Sequence, residues 1–259
     1  MKIIVCIKQV PDTTEVKINP TTGTLIREGV PSIINPDDKS GLEAALVLKE
    51  QQGAHVTVLS MGPPQADLAL REALAMGADQ AILLSDRAFG GADTWATSST
   101  LAAAIRKLEW DLIICGRQAI DGDTAQVGPQ IAEHLQVPHV SYVTELQVGE
   151  KAIEVKRKFE DGWQRLRVQF PCLITTLKDM NQARYMSMAG IYEAYKREVK
   201  VWGLADIDVD QANIGLKGSP TRVKASYTKG TRSAGKVYEV DPRDGARIIV
   251  ESLKEKFII

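Results

Sequence analysis

The sequence predicts an α/β fold: a doubly wound parallel sheet with a small antiparallel extension and a C-terminal arm. Three observations carry this. Short apolar runs bounded by polar and turn residues (KIIVCIK, HVTVLSMG, QAILLSD, DLIICG) read as strands buried on both faces. Each is followed by a stretch of helical periodicity, the alternation that joins parallel strands through crossover helices. Beyond Pro138 the pattern changes: VSYVTELQV, KAIEVKRKF and WQRLRVQF alternate apolar and polar residues, as antiparallel strands with one wet face do.

Residues 2–8 form the first strand. The segment after it is broken by Pro11, Pro20, Pro31 and Pro36, and VKINPTTGTLI within it reads as a short hairpin around residues 21–23. A loop of this length in a compact α/β unit is usually functional or covers something. Asp37 or Asp38 is placed to cap a helix reaching about Gln52, with Leu42, Ala45, Leu46 and Leu48 on its apolar side and Gly53 as its stop. Residues 55–62 give the second strand, and Pro63 and Pro64 open a helix that Gly77 ends. A third strand (80–86) and third helix (92–108) follow. The run 112–115 is too short for a helix and forms the fourth strand. After it, a loop holding Gly116 and Gly122 leads to Thr124 at an N-cap position. The helix beyond carries Val127, Ile131 and Leu135 at i, i+4, i+8. Three alternating strands come next, with EDG at 160–162 as a turn, then the apolar strand CLITTL. The remainder is looser: a helix near 191–199, a Gly-, Ser- and Thr-rich stretch at 215–236, and an amphipathic helix at 243–256. The chain thus divides into an α/β domain with its antiparallel extension, 1–180, and an arm, 181–259, that needs a partner to lie against.

The 259 residues are enough for a substantial core, and 44% apolar with 25% charged residues is ordinary for a globular chain. Thirty-two basic residues balance 33 acidic ones, so no charge asymmetry draws the chain to nucleic acid or anionic lipid. Met1 opens directly onto a strand, without a signal peptide or a run near the length of a membrane span, and a cytoplasmic protein is expected. Cys6, Cys115 and Cys172 lie in apolar runs without metal spacing and read as reduced, buried thiols. No metal site and no catalytic residue is assigned. The absence of G-x-G-x-x-G after the first strand and of G-x-x-x-x-G-K-[ST] anywhere argues against an ordinary nicotinamide dehydrogenase and a P-loop hydrolase. No Ser–His–Asp or Cys–His arrangement supports a hydrolase.

In doubly wound sheets ligands collect at the carboxyl ends of the strands, near the point where strand order reverses. Four segments are therefore candidate walls: 6–10 with Cys6 and Lys8, 60–63 with Met61 and Gly62, 85–94 with Gly91, Asp93 and Thr94, and 116–124. The last, continuing into its helix, is the main candidate: Gly116, Arg117, Gln118, Asp121, Gly122, Asp123, Thr124, Ala125, Gln126, Val127 and Gly128. A strand feeding a Gly-containing loop into a helix start presents free N–H groups and a positive dipole end, which suits a phosphate. A plain βα turn is the alternative, but the loop is more polar than a turn requires. Gly122 is expected to need φ > 0 or a close approach. Thr94, Thr97 and Ser98 share one side of the preceding helix, as caps or as partners of a ring edge. Met186, Met188, Ile191, Tyr192 and Tyr195 form a stripe near helical spacing, read either as internal packing or as an adaptable docking patch.

GRQAIDGDTAQVG resembles the nucleotide loop of the β subunit of electron-transfer flavoproteins. VKRKFEDGWQRLRVQFPCLIT is similar to that family's signature, and VCIKQVPDT, NPDD and ARYMSMAGIYEAYK fall in the family's order. The resemblance implies a Rossmann-like domain of the adenine-nucleotide-binding type, with Asn35 contacting the adenosine part. It implies an α subunit that holds the electron-transferring FAD and packs against the arm. Conventional members keep AMP in β; bifurcating members keep a second FAD there. That FAD takes a hydride from NADH, sends one electron to ferredoxin or flavodoxin, and sends the other through the α-subunit FAD to an acyl-CoA or similar flavin dehydrogenase. Gly122 stands where conventional members carry a bulkier acidic residue, and Thr124 and Ala125 stand where they carry Cys-Asn. With VPDTTEVKI and SDRAFGGADT this favours the bifurcating branch: an electron carrier subunit that oxidises NADH only together with α. The family's dehydrogenase-recognition loop aligns over Arg184, Tyr185, Met188 and Ile191, its anchoring leucine falling on Met188. A conventional β subunit with AMP, and a non-redox adenine-nucleotide-binding module, remain the alternatives.

Overall fold

The computed structural model describes residues 1–12, 31–224 and 235–259. The hairpin expected around 21–23 lies outside these. Strand β1 (Lys2–Cys6) is followed by β2 (Gln9–Pro11) and β3 (Ser32–Ile34), which pair antiparallel as a separate two-stranded sheet. Then come α1 (Pro36–Gln52), β4 (His55–Met61), α2 (Asp67–Met76), β5 (Gln80–Leu84), α3 (Thr94–Ile105), β6 (Leu112–Gly116) and α4 (Val127–Leu135). The hairpin-rich section contains β7 (His139–Val148), β8 (Ala152–Lys158), β9 (Trp163–Gln169) and β10 (Cys172–Thr176). It is followed by α5 (Met188–Ala194) and β11 (Val199–Trp202), and α6 (Pro242–Glu255) lies near the C-terminus.

Among the described residues, nine strands form one sheet in the order β11-β5-β4-β1-β6-β10-β7-β8-β9. From β11 to β7 every pairing is parallel. Side chains alternate across the parallel strands, so a continuous apolar run feeds two cores. Ile3, Val5, Val58, Leu112, Ile114 and Ile174 meet Leu42 and Leu46 of α1 and Leu70 of α2. Ile4, Leu59, Ile82, Ile113 and Leu173 meet Leu101 and Ile105 of α3 and Ile131 of α4. Each fully buried Leu or Ile contributes roughly 1.5–3 kcal/mol.

Several local expectations are corrected. Asp37 and Asp38 do not cap α1: Asn35 is its N-cap residue, Pro36 is its first residue, and both aspartates are buried in the first turn. Helix α4 starts three residues after Thr124, because Asp123 (φ 52°) and Ala125 (φ 54°) are left-handed and cannot be helical. Strand β7 is not purely antiparallel. Its first half runs parallel to β10 and its second half antiparallel to β8, with an irregularity at Tyr142 (φ 64°) between them. The helix expected at 191–199 is earlier and shorter, and the chain beyond it becomes β11, a parallel edge strand beside β5.

The chain forms two compact units, residues 1–224 and 225–259. Residues 181–224 belong to the first. In the second, α6 is capped by Asp241, whose carboxylate accepts the N–H groups of Arg243 (2.9 Å) and Asp244 (3.2 Å). No helix among the described residues is long and apolar enough to cross a membrane.

Candidate functional site

The chain leaves β1 toward β4 and β5 on one side and returns to β6 on the other, so strand order reverses between β1 and β6. The four candidate walls stand at this carboxyl edge. Beneath them lies a joint that sequence reasoning missed. Asp38 Oδ2 accepts the Lys8 N–H at 2.8 Å, and Oδ1 accepts the Gly116 N–H at 3.0 Å. One buried carboxyl thus ties the chain leaving β1 to the chain leaving β6. Burial raises it to about 7, against the lowering effect of Asn35 and the two N–H groups. Thr176 Oγ1 donates to Asp37 O at 3.1 Å and the Lys178 N–H to Asp37 Oδ1 at 2.8 Å, so the neighbouring aspartate anchors the end of β10.

The loop 117–126 is held from below. Asn35 is fully buried; its Nδ2 donates to Gln118 O (2.8 Å) and its Oδ1 accepts the Ile120 N–H (3.0 Å). Lys8 Nζ pairs with Asp121 at 2.8 Å, and Gln118 Nε2 donates to Asp123 Oδ1. Asn35, Lys8, Gln118, Asp121 and Asp123 therefore form one network that sets the loop's shape. Gly122 is corrected: it is exposed, its φ is not in the left-handed range, and a Cβ there would meet nothing within 4 Å. The positive φ values fall on Asp123 and Ala125 instead. The close approach falls on Gly116 and on Gly128, where a Cβ would stand 2.7 Å from Thr175 Cγ2.

Among the described residues, the N–H groups of Thr124, Ala125, Gln126, Val127 and Gly128 donate to no other group. Left-handed Ala125 precedes right-handed Gln126, a sequence of conformations that turns successive N–H groups toward one point. Arg117 Nε is buried and lies 3.3 Å from Asp37 Oδ2 without the angle of a hydrogen bond. Five free N–H groups at a helix start suit an anion, above all a phosphate or pyrophosphate. The residues present therefore fit the phosphate portion of a nucleotide, AMP and FAD alike.

The second wall is linked to the first, because Thr94 Oγ1 donates to Gln126 Oε1 at 2.9 Å. Asp93 caps α3 through the Ala96 N–H (3.0 Å) and also accepts the N–H and hydroxyl of Thr221 at 2.9 and 2.7 Å. Its own N–H donates to Ser219 Oγ at 2.8 Å. Gly91 takes φ 72° beneath Leu216. The segment around 216–221 thus clamps the loop before α3, which nothing local in the sequence signals. Thr97 lies one turn farther along α3, half-buried. Cys6 and Met61 are half-buried at the ends of β1 and β4, and the Gly62 N–H donates to Leu84 O.

The docking candidates divide. Arg184 binds Glu43 through two bonds of 2.9 Å and also pairs with Glu50, fixing residues after β10 to α1. Its guanidinium is engaged internally. Ile191 packs against the α1–α2 core, and Gly190 lies on Ala75 O of α2. Tyr185 and Met188 point outward, 94% and 84% exposed, with Tyr192 and Tyr195 beside them.

A doubly wound sheet with an anion-ready loop at its switch point is the architecture at which α/β proteins take nucleotides. The chain belongs to the electron transfer flavoprotein family: the Electron transfer flavoprotein domain matches residues 22–207. It is 59% identical over both full lengths to an electron transfer flavoprotein subunit beta of Clostridium acetobutylicum. It is 54% identical, again over both full lengths, to the caffeyl-CoA reductase-Etf complex subunit CarD of Acetobacterium woodii. The acryloyl-CoA reductase electron transfer subunit gamma of Anaerotignum propionicum is 46% identical over the whole of both chains.

Proposed function

We propose that this chain is the β subunit of a heterodimeric, cytoplasmic electron transfer flavoprotein that holds FAD in the cleft between the 116–128 loop and the start of α3. When bound, the flavin supplies hydride acceptance from NADH and delivery of single electrons. Those electrons would serve a low-potential ferredoxin or flavodoxin and, by way of the α-subunit FAD, a dehydrogenase of the acyl-CoA class. The chain's own part is to bind and orient. The N–H groups of residues 124–128 hold the phosphates, and Asn35, Lys8 and Asp121 fix the adenosine side. Thr94 and Thr97 offer uncharged hydroxyls to the polar edge of the ring, which favours one protonation or redox form without placing a charge there.

The observation that carries this reading is the set of N–H groups from Thr124 to Gly128, without partners among the described residues, at the strand-order reversal. Gly122 is exposed with open space around it, so no side chain there closes the loop against a larger nucleotide. Two relatives of full-length similarity are named for CoA-ester reductases, which supports a dehydrogenase partner of that class. Anaerobic titration of the purified heterodimer with NADH tests the reading. Bleaching of flavin absorbance, dependent on the β subunit's loop, is expected; a flavin spectrum that NADH leaves unchanged contradicts it and favours the conventional, AMP-containing subunit.

A further inference from the structure

Two of the three cysteines face each other. Cys6 ends β1 and Cys115 lies in β6, and the two are register partners in adjacent parallel strands. Partners in a sheet point to the same face, and both side chains lie on the α3–α4 side. Adjacent strands run about 4.8 Å apart, inside the roughly 4.4–6.8 Å of Cα separation that a disulfide accepts. Cys6 is half-buried, whereas Cys115 is buried under α4, where a Cβ on Gly128 would stand 3.5 Å from its own Cβ. Cys172 lies in the other core, on the α1 face.

We propose that Cys6 and Cys115 form a cross-strand dithiol that a peroxide converts reversibly to a disulfide on the floor of the cleft. The inference holds whichever nucleotide the cleft takes. The division of labour follows from the two environments. A hydrogen bond with Cys6, burial, and the nearby Asp38 carboxylate push the Cys115 thiol up, so Cys115 keeps its proton. Cys6, the more accessible sulfur, meets the oxidant. The Cys6 thiol gives up its proton and its sulfur attacks one peroxide oxygen; the O–O bond breaks, the departing hydroxide takes that proton and leaves as water, and Cys6 is a sulfenic acid. Cys115 sulfur then attacks that sulfur, loses its proton, and releases the second water as the S–S bond forms. Two thiols and one peroxide give one disulfide and two waters. The bridge ties β1 to β6 just before Lys8 and Gly116, the two residues whose N–H groups Asp38 holds, and so couples thiol state to the shape of the cleft.

The test uses the intact heterodimer, treated with hydrogen peroxide, alkylated after denaturation and mapped by mass spectrometry. The Cys6 and Cys115 peptides should become cross-linked together and return to free thiols with dithiothreitol. Cys172, whose thiol burial pushes up to about 12, should react about tenfold more slowly or less. In a Cys115→Ser heterodimer exposed to oxidised glutathione, Cys6 should carry a mixed disulfide because no resolving thiol remains. If the variant does not assemble, the wild-type cross-link alone decides. Cys6 driven to sulfinic acid while Cys115 alkylates in full, or a wild-type pair still reduced in excess peroxide, overturns the proposal.

Discussion

Asp38 and Gly116 are in such close contact that a Cβ added to Gly116 would stand 2.1 Å from the carboxylate oxygen that accepts its N–H. The neighbouring obstacle is the Asp38 backbone nitrogen at 2.7 Å, so no flexible side-chain end can move aside. Gly116→Ala is therefore expected to cost about 3 kcal/mol. Gly122→Ala, surrounded by open space, should change stability by less than about 0.5 kcal/mol. Urea unfolding of the two variants measures the contrast; equal midpoints contradict the close approach at Gly116.

The same carboxyl predicts a pH dependence. Folded Asp38 keeps its proton up to about 7, whereas in the unfolded chain it titrates at the ordinary aspartate value of 3.8. Between these values the folded state binds more protons, so this group's contribution falls as pH rises through the window and levels off above it. The full difference is about 4 kcal/mol. Asp38→Asn removes the titration but sets an amide NH₂ against the N–H of Lys8 or of Gly116, at a cost of about 1–3 kcal/mol. Subtracting the variant's stability profile from the wild type's over pH 4 to 7 should leave a falling curve. A flat or rising difference contradicts the assignment.

Ala125 holds a left-handed backbone, unfavourable for a residue with a Cβ. Ala125→Gly relieves that strain and should stabilise the nucleotide-free chain by about 0.5–1 kcal/mol after the added flexibility of the unfolded state is counted. A β-branched Ala125→Val should destabilise it and lower nucleotide retention. If both variants unfold at the wild-type midpoint, the loop does not hold this conformation.

The strands of the parallel sheet were legible because burial on both faces leaves continuous apolar runs such as LIIC. The carboxyl-edge candidates followed from topology, and the network of Asn35, Lys8, Gln118, Asp121 and Asp123 joins residues already singled out. What stayed hidden depends on contacts distant in sequence. Asp38 resembles a helix cap until Gly116 arrives beside it, and Asp93 until Thr221 does. The start of α4 was misplaced because Thr124 is a good cap by type, whereas the loop's tether to Asn35 accompanies a left-handed turn on either side of it. Strand β11 has only four residues, VKVW, and pairs with β5 more than a hundred residues earlier, so its local pattern read as the end of a helix.

Met188 and Arg184 separate docking from packing. Met188 is almost wholly exposed, so Met188→Ala should leave the fold, the flavin content and the heterodimer intact. On the proposed reading of Met188 as an apolar anchor in a partner pocket, the same substitution should nonetheless slow electron delivery to the dehydrogenase about tenfold or more. Arg184→Ala should behave oppositely, costing about 3 kcal/mol because buried Glu43 loses its partner. Dehydrogenase reduction at limiting heterodimer concentration, alongside thermal unfolding, distinguishes the two. An unaffected rate for Met188→Ala removes it from the docking surface.

The most direct test of the central claim is the cofactor content of the purified heterodimer, released by acid or heat and separated by chromatography. A bifurcating β subunit predicts two FAD per heterodimer and no AMP, with one FAD lost selectively when Ala125→Val distorts the 124–128 cradle. One FAD with one AMP would contradict the FAD assignment while leaving the cradle in place, and a heterodimer without flavin would contradict the electron-transfer reading itself.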